Sequence, residues 1–321
     1  MPHMSRLLIL WIGSVFLLTA CVSEAAIDKG VRLTPKEDRI RVEVNGRLFT
    51  EYIFKDIPRP YFYPLMGPGD VAMTRKWPME SPPGEDHDHP HHRSLWFAHG
   101  LVNGIDFWSE QKTFGKIVAD GKPETSMDGN TGVIRSKNQW VGPKGNIVCT
   151  DERVFRVYAG DKADEQMFDF EITLRAPDAD VVFGDTKEGT MAIRVAESMN
   201  LKNHPGHIVN SEGQRDDATW GKRAKWCDYY GPIDGKIVGI AMFDHPDNPR
   251  YPTWWHVRDY GLFAANPFGQ HDFETLDNKS AGDFKIAAGK SATFKYRFLL
   301  HRGNEKEAKV DARYGDYVKK R

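Results

Sequence analysis

Phe168-Asp169-Phe170-Glu171-Ile172-Thr173-Leu174-Arg175 alternates apolar and polar side chains without a break. Alternation with period 2 is the signature of a strand with one buried face, so Phe168, Phe170, Ile172 and Leu174 point one way and the polar set the other. Phe294, Tyr296, Phe298 and Leu300 repeat the pattern against Lys295, Arg297 and His301. Both stretches read as half-buried antiparallel strands. Asn45-Gly46, between Arg41-Val42-Glu43-Val44 and Arg47-Leu48-Phe49-Thr50, is a strong type I′ hairpin signal. Further strands are expected over 61–65, 94–97, 132–140, 147–158, 191–196, 237–243 and 261–265, with turn residues such as Gly67-Pro68-Gly69, Asp234-Gly235 and Ala288-Gly289 between strands. Helix signals are scarce. Asn304 suits the cap of a charged helix over 304–320, read as a surface appendage. So many strands in one unbroken body exceed an immunoglobulin-size sandwich. The expectation is an all-β fold: a large antiparallel two-sheet sandwich with few short helices and long loops carrying the unusual residues.

Composition narrows the class. The 321 residues carry 44 Lys+Arg against 45 Asp+Glu, a formal charge of −1, which gives no electrostatic footprint for nucleic acid. Glycine and proline show neither period nor tract, against collagen and disorder. Aromatic residues make up 12% of the chain, ample for a large core. No Walker sequence, glycine-rich phosphate loop or GxSxG elbow is present, so nucleotide-dependent and serine-hydrolase chemistry drop out.

The apolar run from Leu7 to Leu18 after Arg6 fits the core of a secretory signal and is too short to span a bilayer as a helix. Leu18-Thr19-Ala20-Cys21 is similar to a bacterial lipobox, in which Cys21 is acylated and becomes the first mature residue. The alternative is an ordinary signal cut near Ala25-Ala26, with Cys21 incidental. With Val22 after the cysteine, the lipobox implies anchoring at the outer membrane, facing the periplasm or the cell surface. The expected organisation is a lipoprotein signal peptide over 1–20, a short tether over 21–30, one β-sandwich domain over 31–303 and a helical tail over 304–321. Cys149 and Cys227 match no zinc spacing and read as two buried free thiols.

The densest polar cluster is Asp86-His87-Asp88-His89-Pro90-His91-His92-Arg93-Ser94-Leu95-Trp96-Phe97. Pro90 bars a central strand, so a loop entering a strand at Ser94 is expected. His91, His92 and Arg93 suit a polar ligand such as a sugar or a carboxylate, because imidazole titrates near neutrality and guanidinium forks onto oxygens. A solvated loop, or a metal site on His87, His89 and His91, would also account for the cluster. Asn103-Gly104 then reads as a tight turn. A third cluster is Trp254-Trp255-His256-Val257-Arg258-Asp259-Tyr260-Gly261, followed by Asn266-Pro267-Phe268-Gly269. His256 and Arg258 would share a face, and an aromatic beside His and Arg is a common lining of sugar clefts. Glu188 and Glu212 are the carboxylates considered for general-base work.

The stretches Asp88–Phe97 and Asn103–Trp108, Glu188-Gly189 with Ala192-Ile193-Arg194, Trp220–Ala224, and Trp254–Gly261 through Asn266–Gly269 resemble a bacterial family of unknown function labelled "methane oxygenase PmoA". The resemblance covers nearly the whole mature chain. It implies a secreted protein associated with polysaccharide use and a galactose-mutarotase-like supersandwich, a fold that hosts epimerases, hydrolases and lyases. By analogy with mutarotase sites, His92 or His256 would act as acid with Glu188 as base. The resulting expectation is a carbohydrate-active enzyme outside the cytoplasm, using acid–base chemistry on a saccharide or oxidised sugar. His91, His92, His256 and Glu188 are its catalytic candidates. Arg93, Trp96, Asn103, Arg194, Trp220, Trp255, Arg258 and Asn266 are its substrate-binding candidates. No cofactor is expected beyond the metal alternative. A saccharide is the expected partner, and the membrane is met only through the lipid on Cys21. The rival expectations are a non-catalytic glycan-binding lipoprotein and a copper or zinc enzyme.

Overall fold

The stretch from Phe168 forms the middle of the strand Glu165–Arg175, paired antiparallel with Ser291–Arg302 so that Phe168 stands opposite Phe298 and Phe170 opposite Tyr296. The Phe168 and Phe298 rings stack at 4.6 Å, a cross-strand aromatic pair of the kind that fixes register. The computed structural model describes Met1 and residues 29–160, 162 and 164–319. The expected leader, Cys21 and its lipid lie outside these residues. Among the described residues no helix is long and apolar enough to cross a membrane.

Two large antiparallel sheets form the body, which is the all-β sandwich expected from the alternation. The first runs in the order Val31–Pro35, Arg39–Val44, Arg47–Ile53, Tyr61–Gly67, Leu95–His99, Gly189–Arg194, Leu262–Asn266 and Trp254–Val257. The second runs His207–Asn210, Trp226–Ile233, Lys236–Asp244, Ser291–Arg302, Glu165–Arg175, Ile147–Tyr158, Thr131–Val141 and Lys116–Ala119. Asn45 and Gly46 have φ of 50° and 73°, the positive pair that a type I′ turn requires. One apolar cluster fills the space between the sheets, with Phe62 stacked on Phe155 at 4.4 Å and Phe97 edge-on to Trp140 at 6.2 Å. Cys149 and Cys227 are buried, unpaired thiols, pushed well above the usual thiol range by that burial.

The core also holds the buried ion pair of Asp151 and Arg153. Asp151 accepts bonds from Asn138, Trp140 Nε1 and both forks of Arg153, at 2.6 to 3.0 Å. Arg153 lies over the Phe97 ring at 5.8 Å. Both charged groups are buried, so each relies on the other and on these bonds for solvation.

The C-terminal segment differs from the expected appendage. Asn304 caps a turn by accepting from the Lys306 and Glu307 amides while Glu307 reaches back to the Asn304 amide. The α-helix itself spans Val310–Lys319. Val310, Tyr314 and Tyr317 are buried against Trp226, Phe243 and Leu299 on the back of the second sheet. Their spacing of four and three residues puts them on one helix face, and that face is core.

The feature that positions the site is the outer face of the first sheet. Cross-strand partners place Trp96, Ala192, Ala264 and His256 in one row over four adjacent strands. Phe97, Met191, Ala265 and Trp255 form the next row and face inward. Ala192 and Ala264 are small and fully buried, which lets long loops pack down onto the sheet between Trp96 and His256.

Candidate active site

Four loops meet over this face and enclose a cleft of about 440 Å³. Its wall comprises His89 and His91 from the histidine-rich loop, Asp106, Trp108, Ser109 and Gln111 from the next loop, Lys187 and Glu188 ahead of their strand, and His256, Arg258 and Tyr260 at the far strand and its turn. The volume lies within the range that accommodates one or two small polar units. A larger groove of about 960 Å³ over Phe54, Pro58, Phe114 and Lys116 is less suited to chemistry. No histidine lines it, and its Glu37 is engaged by Lys55.

Close approach fixes Glu188. Gly100 donates its amide to the Glu188 carbonyl at 2.7 Å, and a Cβ on Gly100 would stand 2.7 Å from Glu188 Cβ. A Cβ on Gly189 would come within 2.6 Å of His99 Nδ1. Only glycine permits the two segments to lie this close. Asn266, buried on the sheet, donates to the carbonyls of Thr186 and Lys187, each at 2.9 Å. It therefore holds the loop that presents Glu188 and does not itself line the cleft.

The histidine-rich loop is clamped from beneath. Asp88 is bonded by the buried guanidinium groups of Arg75 and Arg194 and lies 2.8 Å from His89 Nδ1. Burial pushes its carboxyl up, but His89, Arg194 and Arg75 together hold it well below the usual carboxylate range. The rings of Tyr260, His89, His92 and Trp96 stack in a column at 5.1, 4.7 and 5.3 Å. Arg59, buried, donates to the His91 carbonyl at 3.1 Å and pairs with Glu110.

Burial is the main influence on the imidazoles. It lowers His91 to about 4, with Arg59 and His89 adding to the effect. It lowers His256 to about 3, with Arg258 and Lys187 adding. His92 is driven well below its ordinary value by burial, then by His91 and Arg194. All three are neutral at pH 7 and able to accept a proton. Burial raises the Tyr260 phenol to about 12, so it stays an O–H donor. The indole N–H of Trp108, buried at the cleft wall, has no partner among the described residues.

The structure thus brings His91, His256, Glu188 and Arg258 together from the expected set. His92 sits one layer behind, its Nδ1 3.2 Å from Arg194, with Trp96 stacked beneath it. Arg194 is buried and divides its fork between Asp88 and His92. Arg93 turns to Glu110 at 2.8 Å and covers Tyr61 outside the cleft. Asn103 is a turn residue with φ 47°, tied to Asp180 and Val182. Trp220 is half-buried behind Arg258, whose guanidinium lies 5.8 Å from its ring. Trp255 is wholly buried on the inner face and donates to the Ala224 carbonyl. His87 stacks on Trp77 at 4.0 Å, away from the cleft that His89 and His91 line. Among the described residues no three His, Cys, Asp or Glu groups converge as a metal-binding set. Asp106, Trp108, Lys187 and Tyr260 were not among the expected site residues. Asp106 accepts from the amides of Trp108 and Ser109 at 2.7 and 2.9 Å, a local turn signal that its spacing in Asp106-Phe107-Trp108-Ser109 already carried.

Comparison with solved structures finds distant likenesses. A galactose mutarotase related enzyme from Lactobacillus acidophilus matches at 8% identity and a TM-score of 0.35, over 84% of this chain and 97% of that one. A glycoside hydrolase family 97 enzyme in complex with acarbose, from Pseudoalteromonas sp. strain K8, matches at 11% identity and a TM-score of 0.34, over 85% of this chain. A 4-alpha-glucanotransferase from Thermococcus litoralis matches at 10% identity and a TM-score of 0.31, over 86% of this chain. The chain spans 34% of the hydrolase and 40% of the glucanotransferase. No curated protein matches. The methane oxygenase label suggested by the sequence motifs finds no support and is set aside, because the model that matches carries a different description. That match runs over residues 39–315, nearly the whole described body, and the chain belongs to the family of unknown function DUF6807.

Proposed function

We propose that the protein is a carbohydrate-active enzyme whose acid–base pair is drawn from His91, His256 and Glu188, acting outside the cytoplasm as the leader sequence supports. The observation that carries this reading is the placement of two neutral imidazoles, a carboxyl group and a phenol around one cleft. A neutral imidazole takes a proton from a hydroxyl or carbon, and the partner group returns one to a ring or leaving oxygen. Tyr260 and the indole of Trp108 supply donors beside aromatic surface, the combination that holds a sugar ring. His256 is kept neutral first by burial and then by Arg258 and Lys187, which leaves its ring nitrogens free to exchange a proton with a bound ligand.

The test is turnover against a panel of oligosaccharides, with detection of new reducing ends, unsaturated products and epimers. At least one sugar should be converted, and chelator should leave the rate unchanged. The rate should hold from neutral pH down and fall between about pH 4 and pH 3, where His91 and then His256 take up their protons. No conversion of any sugar, or activity that chelator abolishes and copper or zinc restores, would overturn the reading.

A further inference from the structure

Five arginines surround the cleft, and four of them are answered by carboxylates. Arg59 and Arg93 share Glu110, while Arg75 and Arg194 share Asp88. Arg258 is the exception. Among the described residues its guanidinium forms no ion pair and no hydrogen bond. It is held between aromatic rings instead, 5.8 Å from the Trp220 centroid and 5.7 Å from that of Tyr260. It lines the same cleft as Lys187, His256 and Glu188.

Such a guanidinium is pre-set for a ligand. The ring faces restrict its rotamers and stabilise the cation without consuming its donors. Its planar fork remains available for two parallel bonds, which a carboxylate accepts better than a hydroxyl does. Lys187 adds a second cation at the same rim, only loosely held by Glu188 at 3.5 Å. The depression of His256 by Arg258 and Lys187 reports the positive potential these two create at the catalytic end. A neutral sugar would leave the free fork of Arg258 without a counter-charge in a half-buried site.

From this we infer that the cleft takes an acidic saccharide, with the carboxylate of a uronate unit bound by Arg258 and flanked by Lys187. The inference rests on the proposed function and narrows its substrate class. His256 and Arg258 line the same cleft, so a sugar unit held there by its carboxylate lies beside the imidazole.

The experiment is calorimetric titration of the full chain with di- to tetrasaccharides of galacturonate, glucuronate, mannuronate and guluronate, with their carboxyl-reduced neutral counterparts and with sulfated galactose oligosaccharides. At least one uronate should bind ten-fold or more tighter than its neutral counterpart, and more weakly as salt rises. Arg258→Gln keeps much of the stem on the rings and should abolish that preference, so that acidic and neutral forms bind alike. Arg258→Lys should restore part of it, and a thermal melt establishes that both variants fold. Equal binding of neutral and acidic forms, a preference for the sulfated sugars, or an acidic preference that survives in Arg258→Gln would overturn the inference while leaving the saccharide reading intact. Failure of every saccharide to bind would remove both.

Discussion

His256→Gln is expected to give a folded protein whose turnover falls by roughly 10²–10⁴-fold, the usual share of one general acid or base. Glutamine has comparable bulk and polarity, so the packing against Phe273, 6.1 Å away, is largely kept. The amide cannot carry a proton through the reaction, and that function is what disappears. His92→Gln gives the contrast. His92 lies behind the cleft, bonded to Arg194 and stacked between His89 and Trp96, so its loss should loosen the positions of its neighbours and cost far less turnover. Steady-state rates and a thermal melt on the two variants check this. A His256→Gln enzyme within about three-fold of wild type would remove His256 from the chemistry.

The largest effect on stability is expected from Asp151→Ala. It strips the counter-charge from Arg153 in the centre of the sandwich and leaves Asn138 and Trp140 without their acceptor. Removing one partner of a buried pair destabilises by about 3–5 kcal/mol, because the other charge is left without solvation. The urea midpoint should move accordingly at an unchanged slope. The double change Asp151→Leu with Arg153→Met should recover much of the loss, since the pair is then replaced by packing. A shift below about 1 kcal/mol for Asp151→Ala would show that water reaches Arg153. The consequence extends to the site, because Arg153 covers Phe97 on the strand whose opposite face carries Trp96.

Much of the sandwich was legible, for a physical reason. A strand with one wet face must alternate, as the run around Phe168 does, and the run around Phe298 does so until Leu299, which the C-terminal helix covers. The same parity bears on the site. Trp255 and His256 are neighbours in a strand, so they face opposite ways, and placing the imidazole over the outer face already consigned Trp255 to the core. Reading both as site residues overlooked that constraint. The C-terminal helix was similarly readable: Val310, Tyr314 and Tyr317 mark a buried stripe despite the charged residues around them.

What the sequence does not carry is the division of labour among the arginines. Arg93, Arg194 and Arg258 all sit beside His or aromatic residues in the chain. Their roles are set by Glu110, Asp88 and the two rings at Trp220 and Tyr260, most of which arrive from distant segments. Loops have no period, so nothing in their spacing announces that Lys187 and Tyr260 face His91. Gly100 against Glu188 is likewise a meeting of two segments that only the sheet pairing of Leu95–His99 with Gly189–Arg194 creates.

The most direct test is a crystal structure of the His256→Gln protein soaked with the tightest-binding saccharide from the titration panel. A sugar ring is predicted between His91 and residue 256, with an oxygen or carbon-bound hydrogen facing each and Arg258 within hydrogen-bond reach. A sugar seated instead in the Phe54–Phe114 groove, with the histidine cleft unchanged, would contradict the account.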